Sequence, residues 1–232
     1  MRGDLSHAII INKSLNKKPS LNKTKIPTHT PKMQRIQEHF NGRTILLTGP
    51  MGLNGQCTIE KILFDTPEIE KLYIVIRAKK NMTPFDRYAS TLLNSTAFTR
   101  LRARHGDQYK EFMASKIKVL DGDLQAKNLG LSEDDIEDIQ ENVNVIISNG
   151  ASTSWTDSIK DAVSSNTQGA LSLLEIAKGC KKLDHFIQVS TFAVQLIVNE
   201  VLKEKVYKQI PKPEEVYERI MKNPKEYEEY TS

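Results

Sequence analysis

Short apolar runs alternate with longer amphipathic stretches from Asn41 onward. Five runs have the length and the continuous apolar character of buried strands, and they are residues 44–48, 72–76, 117–120, 143–147 and 186–190. Helical periodicity separates them, near residues 54–64, 84–103, 132–140 and 157–179. Strands and helices that alternate in this order predict a parallel sheet with right-handed crossovers and helices on both faces. We therefore predict a doubly wound α/β fold.

The first part of the chain has a different composition from the rest. Residues 1–38 are rich in Lys, Asn, Ser, Thr and Pro without a sustained period, which predicts a disordered basic tail followed by one folded domain over 39–232. Up to Arg35 the tail carries eight basic residues and one acid, which leaves 25 basic and 28 acidic residues for the remainder. Because the domain is mildly acidic, the composition argues against a nucleic-acid partner.

Other classes of protein are excluded by simple counts. The chain contains no run of 18 apolar residues, so no transmembrane segment is predicted. Cys57 and Cys180 are far apart and form no CxxC motif, which favours reduced thiols in the core over a disulfide. The five histidines show no repeated ligand spacing, and no metal site is predicted.

A glycine-rich turn follows the first predicted strand, with the sequence TGPMGLNG from Thr48 to Gly55. In such a turn the first glycine makes the bend, the second lets a phosphate approach the backbone, and the third permits close packing of helix against strand. The helix that follows presents free N–H groups to a pyrophosphate. The turn predicts a dinucleotide site, with a purely structural turn as the alternative. Its candidate cofactor contacts are Thr48, Gly49, Gly52, Leu53 and Gly55.

The second predicted strand ends on a basic residue. Arg77 lies 22 positions beyond Gly55, with Arg87 further on, and no acid precedes Arg77 at the strand end. An acid there would hold the ribose 2′-hydroxyl of NAD, whereas an arginine accommodates the 2′-phosphate of NADP. The sequence therefore favours NADPH, with a solvated arginine as the alternative.

The remaining strand ends supply further candidates. Asp123, followed by Leu124, is placed to accept a hydrogen bond from adenine, although it could equally cap the next turn. Gly150 and Ala151 are small enough for a cofactor to lie against the backbone. Asn166 is predicted on the apolar stripe of the last helix, where a polar group needs partners: either a neighbouring loop or a functional site. The fifth strand ends on two further candidates, Ser190 and Thr191.

Taken in order, these motifs resemble the N-terminal half of the alcohol-forming fatty acyl-CoA reductases, in the extended short-chain dehydrogenase superfamily. The motifs are Thr48–Gly55, Tyr73–Arg77, Gly122–Leu124 with Asn128–Ser132, Val143–Ile147, Cys180–Leu183 and Val189–Thr191. The resemblance covers about residues 38–220. It implies a Rossmann-like fold and NADPH-dependent reduction of a long-chain acyl-CoA to an aldehyde and then to a fatty alcohol, within lipid metabolism.

The same resemblance implies roles for particular residues and a location. Thr191, with Ser190 beside it, would bind the carbonyl of the substrate, and Asn166 would support the active site. Thr48, Gly49, Gly52, Gly55, Arg77 and Asp123 would contact the cofactor. The location it implies is the cytosol or the surface of the peroxisome or endoplasmic reticulum.

The chain also departs from the family pattern. No tyrosine has a lysine four positions later, so the YxxxK pair that supplies the general acid is missing from the sequence. Pro50-Met51, Leu53-Asn54 and Asn149-Gly150 replace the usual Ala-Thr, Phe-Leu and Ser-Ala. These departures support two alternatives: a non-catalytic dinucleotide-binding module, or an inactive fragment truncated before the last strands. Truncation of this kind predicts an uncovered sheet edge or apolar face, and therefore self-association.

Overall fold

A six-stranded sheet forms the centre of the molecule. The computed structural model describes residues 6–12, 36–154, 156–191, 201, 203–204, 207 and 211–228. The strand order is β1-β6-β5-β2-β3-β4, in which β2 to β6 are parallel and β1 is antiparallel to β6. The strands are β1 (Ser6–Asn12), β2 (Thr44–Thr48), β3 (Lys71–Ile76), β4 (Ile117–Asp121), β5 (Val143–Ser148) and β6 (His185–Thr191).

Helices connect the strands and cover the sheet. The α-helices are α1 (Ile36–Phe40), α2 (Leu53–Asp65), α3 (Pro84–Arg87), α4 (Thr99–His105), α5 (Tyr109–Lys116), α6 (Glu133–Asn142), α7 (Ile159–Val163), α8 (Gly169–Lys178), α9 (Pro213–Lys222) and α10 (Lys225–Glu228). Two π-helical turns, Tyr88–Leu92 and Ser164–Gln168, extend α3 and join α7 to α8. Among the described residues, no helix has the length and apolar character needed to cross a membrane.

The five predicted strands are confirmed, with ends that differ by at most one residue. The single helix predicted over 84–103 is wrong, because the chain leaves the helix after Leu92 and begins α4 only at Thr99. Ser95 breaks the segment: its side chain accepts a hydrogen bond from the N–H of Ala97, an interaction by which serine competes with helical backbone pairing.

Two apolar cores lie on opposite faces of the sheet. Along β2, Ile45 and Leu47 point to one face and Leu46 points to the other, as the two-residue period of a strand requires. The first face packs against α2, α4 and α5, and the second packs against α6 and α8. Residues of β2 are fully buried on both faces, which explains the continuous apolar run in the sequence.

The order of the strands reverses beside β2. The chain proceeds from β2 to β3 and β4 in one direction, and β5 and β6 lie on the other side of β2. In open parallel sheets, the crevice at the carboxyl ends of the two strands where the order reverses is where ligands bind. The fold is therefore the predicted doubly wound one, and it places a crevice between the ends of β2 and β5.

The outer edge of β6 is paired with a strand from the N-terminal region. β1 runs from Ser6 opposite Thr191 to Asn12 opposite His185, so the disordered tail predicted over 1–38 is wrong for residues 6–12. Its Ile9-Ile10-Ile11 run is strongly β-forming. Residues 1–5 and 13–35 lie outside the described residues. Because β1 pairs with this edge, the self-association predicted from an open edge loses that basis at β6.

A half-buried ionic network ties α6 to the sheet. Lys118 Nζ lies 2.8 Å from Asp138 Oδ2 and 3.3 Å from Asp135 Oδ1, and Asn142 donates to Asp138 over 2.7 Å. Burial alone would raise the pKa of Asp138, but hydrogen bonds from Lys118, Tyr73 and Asn142 outweigh it and hold the pKa below its ordinary value. The ionised carboxylate therefore stabilises the folded state.

This network predicts a pH dependence of stability. The contribution of Asp138 is complete above the pKa of an unfolded aspartate, about 4, and is lost as the pH falls through the lower folded pKa. In urea titrations between pH 5 and pH 3, we expect the unfolding midpoint of the wild-type chain to fall more steeply than that of Asp138→Asn. Asp134→Asn, an exposed acid on the same helix, is the control and should keep the wild-type slope. Equal slopes in all three chains would contradict the assignment.

Candidate functional site

A cleft of about 630 Å³ opens at the carboxyl ends of the parallel strands. Its walls come from the turn between β2 and α2, from the ends of β3 and β4, from the loop after β5, and from α7. The residues that line it are Thr48, Gly49, Pro50, Met51, Gly52, Val75, Ile76, Arg77, Arg87, Gly122, Asp123, Leu124, Gln125, Gly150, Ala151, Ser152, Asp157, Asp161 and Ser165. Nine of the predicted cofactor residues are among them, whereas Leu53 and Gly55 are not.

The steric surroundings of the three glycines in the turn differ. Gly49 has φ +69°, and a Cβ there would lie 2.7 Å from the Cα of Gly150. A Cβ at Gly55 would lie 2.1 Å from the carbonyl oxygen of Gly49, whereas at Gly52 the nearest atom would be 3.7 Å away. Gly49 and Gly55 therefore serve the packing of the turn itself. Gly52 leaves an approach to the backbone from the cleft.

Thr48 joins this turn to the loop after β5. Its side chain is buried, and Oγ1 accepts hydrogen bonds from the N–H groups of Asn149 at 3.0 Å and Gly150 at 2.9 Å. Gly52 caps α2 without a side-chain hydrogen bond, so N–H groups of the first turn remain available to an anion. Leu53, the first residue of α2, is 79% exposed and leaves the mouth of the turn open.

Two guanidinium groups meet at the end of β3. Arg77 Nη1 lies 3.4 Å from Asp123 Oδ2, a long and solvent-exposed pair that contributes little stability. Arg87 donates a hydrogen bond to the carbonyl oxygen of Arg77. Burial lowers the pKa of Arg87, and the neighbouring positive charge of Arg77 lowers it further. A phosphate dianion between them would relieve this repulsion.

Both carboxylate oxygens of Asp123 accept hydrogen bonds from other residues of the protein. Oδ1 accepts the N–H of Gln125 at 3.1 Å, and Oδ2 faces Arg77. The turn-capping role that the sequence left open is therefore present, and the contact with adenine stays a prediction. Leu124 fills the space beside Gly150, where a Cβ would lie 2.7 Å from Leu124 Cδ1. This packing keeps the β5 loop close to the β4 loop.

Asn166 does not lie where the sequence placed it. It is exposed rather than on the buried stripe, because the π-helical turn Ser164–Gln168 adds a residue and turns Ser165 and Gly169 inward instead. Its side chain pairs with the backbone of Ser152, accepting from N at 2.7 Å and donating to O at 3.0 Å. Asn166 thus holds a loop that lines the cleft, and it reaches the cleft only through Ser152.

The two hydroxyl residues at the end of β6 remain apart from the cleft. Ser190 is half-buried, Thr191 is exposed, and neither is among the lining residues. The structure brings them to the same edge of the sheet as the cleft but not into its wall. Their contact with a substrate carbonyl stays a prediction.

Several lining residues had no signal in the sequence. The missed residues that contribute polar side chains are Gln125, Ser152, Asp157, Asp161 and Ser165. Ser152 donates to Asp157 over 2.5 Å, and hydrogen bonds from Ser152 and Ser154 lower the pKa of Asp157. These five residues belong to loops, to α7 and to the π-helical turn Ser164–Gln168, and they follow no motif. Within the described part of the chain, no group of three His, Cys, Asp or Glu side chains is placed to hold a metal ion.

A glycine turn at the switch point of a parallel sheet, with basic residues at the end of the next strand, defines a nucleotide-binding domain of the oxidoreductase type. Comparison with known proteins agrees. The NAD-binding family described as "Male sterility protein" matches residues 47–231, and the chain belongs to this family, that of the fatty acyl-CoA reductases.

Three relatives illustrate the similarity. Fatty acyl-CoA reductase 2, chloroplastic, of Arabidopsis thaliana is 36% identical over 156 residues, which are 67% of this chain and 25% of the relative. Fatty acyl-CoA reductase 1 of Mus musculus is 35% identical over 159 residues, 68% of this chain and 30% of the relative. The alcohol-forming fatty acyl-CoA reductase of Simmondsia chinensis is 29% identical over 176 residues, 75% of this chain and 36% of the relative.

The chain thus spans roughly a quarter to a third of the length of these relatives. Among solved structures, the terminal R domain of the myxalamid PKS-NRPS biosynthetic pathway is 25% identical, with a TM-score of 0.49. The similarity to that domain covers 62% of this chain and 33% of the R domain.

The glycine turn predicts losses of stability of different size for two alanine variants. Gly55→Ala forces a Cβ against the carbonyl of Gly49, and overpacking of this kind destabilises by roughly 2–3 kcal/mol or more. For a domain of this size the melting temperature should fall by roughly 5–10 °C. Gly52→Ala adds a methyl group at ordinary contact distance and should cost less than about 1 kcal/mol. Calorimetry of the two variants checks this, and equal melting temperatures would contradict the packing role of Gly55.

Proposed function

We propose that this chain is the NADPH-binding part of an enzyme that reduces long-chain fatty acyl-CoA to fatty alcohol. The observation that carries the proposal is that Arg77 and Arg87 both line the cleft, in a chain of the fatty acyl-CoA reductase family. An acid at the end of β3 would favour NADH, and Ile76 is followed directly by Arg77.

In this proposal, different residues of the cleft hold different parts of the dinucleotide. The N–H groups around Gly52 and the start of α2 face the pyrophosphate. Arg77 and Arg87 hold the 2′-phosphate, and the long Arg77–Asp123 pair gives way to this stronger anion. Because Gly150 and Ala151 are small, the sugar can lie against the backbone at these two residues. The bound cofactor supplies the hydride.

The substrate lies at the carboxyl end of β6 in this proposal. A hydroxyl group of Thr191, supported by Ser190, donates a hydrogen bond to the thioester carbonyl and polarises it toward hydride attack. In the balanced reaction, the first reduction releases the thiol of coenzyme A and leaves an aldehyde, and the second converts the aldehyde to the alcohol. Each reduction consumes one hydride and one proton. The residues of this chain are assigned to binding and polarisation, because no YxxxK pair is present among them to deliver the proton.

A second candidate is a dinucleotide-binding module without catalysis. The absence of a YxxxK pair from the sequence favours it, because the residues that line the cleft include neither a tyrosine nor a lysine to donate the proton. The two candidates share the cofactor site and differ in turnover.

Cofactor preference tests the site itself. We expect the wild-type chain to bind NADPH more tightly than NADH in fluorescence titrations. Arg77→Ala and Arg87→Ala should each weaken NADPH binding by roughly 10–100-fold, the value of a charged hydrogen bond, and leave NADH binding unchanged. Lys110→Ala removes an exposed cation from α5 and is the matched control. Equal losses for both dinucleotides would show that the arginines do not contact the 2′-phosphate.

Turnover separates the two candidates. The chain is incubated with NADPH and palmitoyl-CoA, and both NADPH absorbance and alcohol formation are followed. The reductase proposal predicts NADPH oxidation that depends on acyl-CoA and falls at least tenfold in Thr191→Ala, because the carbonyl loses its hydrogen-bond donor. NADPH binding without oxidation across a panel of chain lengths would reject catalysis by this chain and support the binding module.

A further inference from the structure

A pair of side-chain amides joins the start of α2 to the turn after β5. Asn54 Nδ2 donates to Asn149 Oδ1 over 2.6 Å, although the two residues are 95 positions apart. Neither residue is among those that line the cleft. The amide pair can therefore influence a ligand only through the backbone segments that it connects.

Those segments are the two turns that form the floor of the cleft. Thr48 begins the glycine turn and receives hydrogen bonds from the N–H groups of Asn149 and Gly150. Asn54 ends the same turn and is bonded to the side chain of Asn149. The intervening segment 49–53 is thus held at one end by hydrogen bonds from Asn149 and Gly150 and at the other end by the side chain of Asn149.

The two clamps are not equivalent. Thr48 lies at the end of a fully buried strand, where the sheet already fixes its position. Asn54 lies in the first helical turn, after a cap residue that makes no side-chain hydrogen bond. Gln56 Nε2 also donates to the carbonyl oxygen of Met51 within the glycine turn, whereas the amide pair links the start of α2 directly to the β5 turn.

We propose that Asn54 and Asn149 are a positioning pair, which holds the glycine turn over residues 149–150 so that its N–H groups are arranged for the pyrophosphate of the dinucleotide. This inference rests on the cofactor site of the proposed function. The pair acts at the pyrophosphate and not at the adenosine end, where Arg77 and Arg87 lie. Its loss weakens NADPH and NADH by the same factor and leaves a ligand without a pyrophosphate unaffected.

The experiment is a double-mutant cycle with three ligands. Kd values for NADPH, NADH and 2′-AMP are measured by calorimetry for the wild type, Asn54→Ala, Asn149→Ala and the double variant. Each single variant should weaken both dinucleotides by roughly 3–10-fold, the range for one hydrogen bond. The double variant should be no weaker than either single variant, because the same bond is lost in all three. Binding of 2′-AMP should stay within about twofold of wild type.

Two features keep the test specific. Alanine is the strongest helix former, so Asn54→Ala does not unwind α2. Asn94→Ala removes another exposed amide, one that bonds the carbonyl groups of Ala89 and Ser90 away from the cleft, and it should change none of the three Kd values.

The outcomes are distinguishable. Losses that add in the double variant, or an equal loss for 2′-AMP, would overturn the positioning role while leaving the dinucleotide site intact. Unchanged Kd values for both dinucleotides in the single variants would do the same. A wild-type chain that binds neither dinucleotide would overturn the proposed function and this inference with it.

Discussion

The contact between the turn after β2 and the loop after β5 is the constraint on which the rest of the site depends. The two backbones approach so closely that a Cβ at Gly49 would lie 2.7 Å from Gly150 Cα, and a Cβ at Gly150 would lie 3.1 Å from Thr48 Oγ1. This approach is possible only where β2 and β5 are neighbours, at the reversal of the strand order. As a result, the floor of the cleft consists of backbone atoms, and the sheet determines their positions.

The electrostatics of the cleft differ from those of the domain around it. The residues after Arg35 carry more acids than bases, yet the end of β3 gathers Arg77 and Arg87 with Asp123 as the adjacent acid. Net charge is a sum over the whole surface, whereas recognition of a phosphate requires cations within a few ångströms. The local arrangement of charged groups therefore matters for phosphate binding, and the sign of the net charge of the whole domain does not.

The residues proposed for cofactor binding and those proposed for substrate chemistry lie in separate places in this chain. The cleft walls are built from β2, β3, β4, the β5 loop and α7, and hydrogen bonds such as those of Thr48 with the β5 loop hold them. Ser190 and Thr191 end the neighbouring strand β6, whose other edge pairs with β1. The two groups of residues therefore lie on neighbouring strands of one sheet, and the cleft is lined without Ser190 or Thr191.

The sequence alone determined the five parallel strands, the glycine turn and the basic end of β3, because each is a local pattern: a buried apolar run, a spacing of glycines, or a residue at a strand end. The tertiary structure decided what depends on distant pairing. β1 pairs with the edge of β6 although the paired residues are more than 170 positions apart in the sequence. Asn54 forms a hydrogen bond with Asn149 only because β2 and β5 are neighbours in the sheet. Asn166 faces outward because a π-helical turn adds one residue, and a single added residue rotates a side chain by about 100°. Periodicity assumes regular geometry, so it could not foresee that rotation.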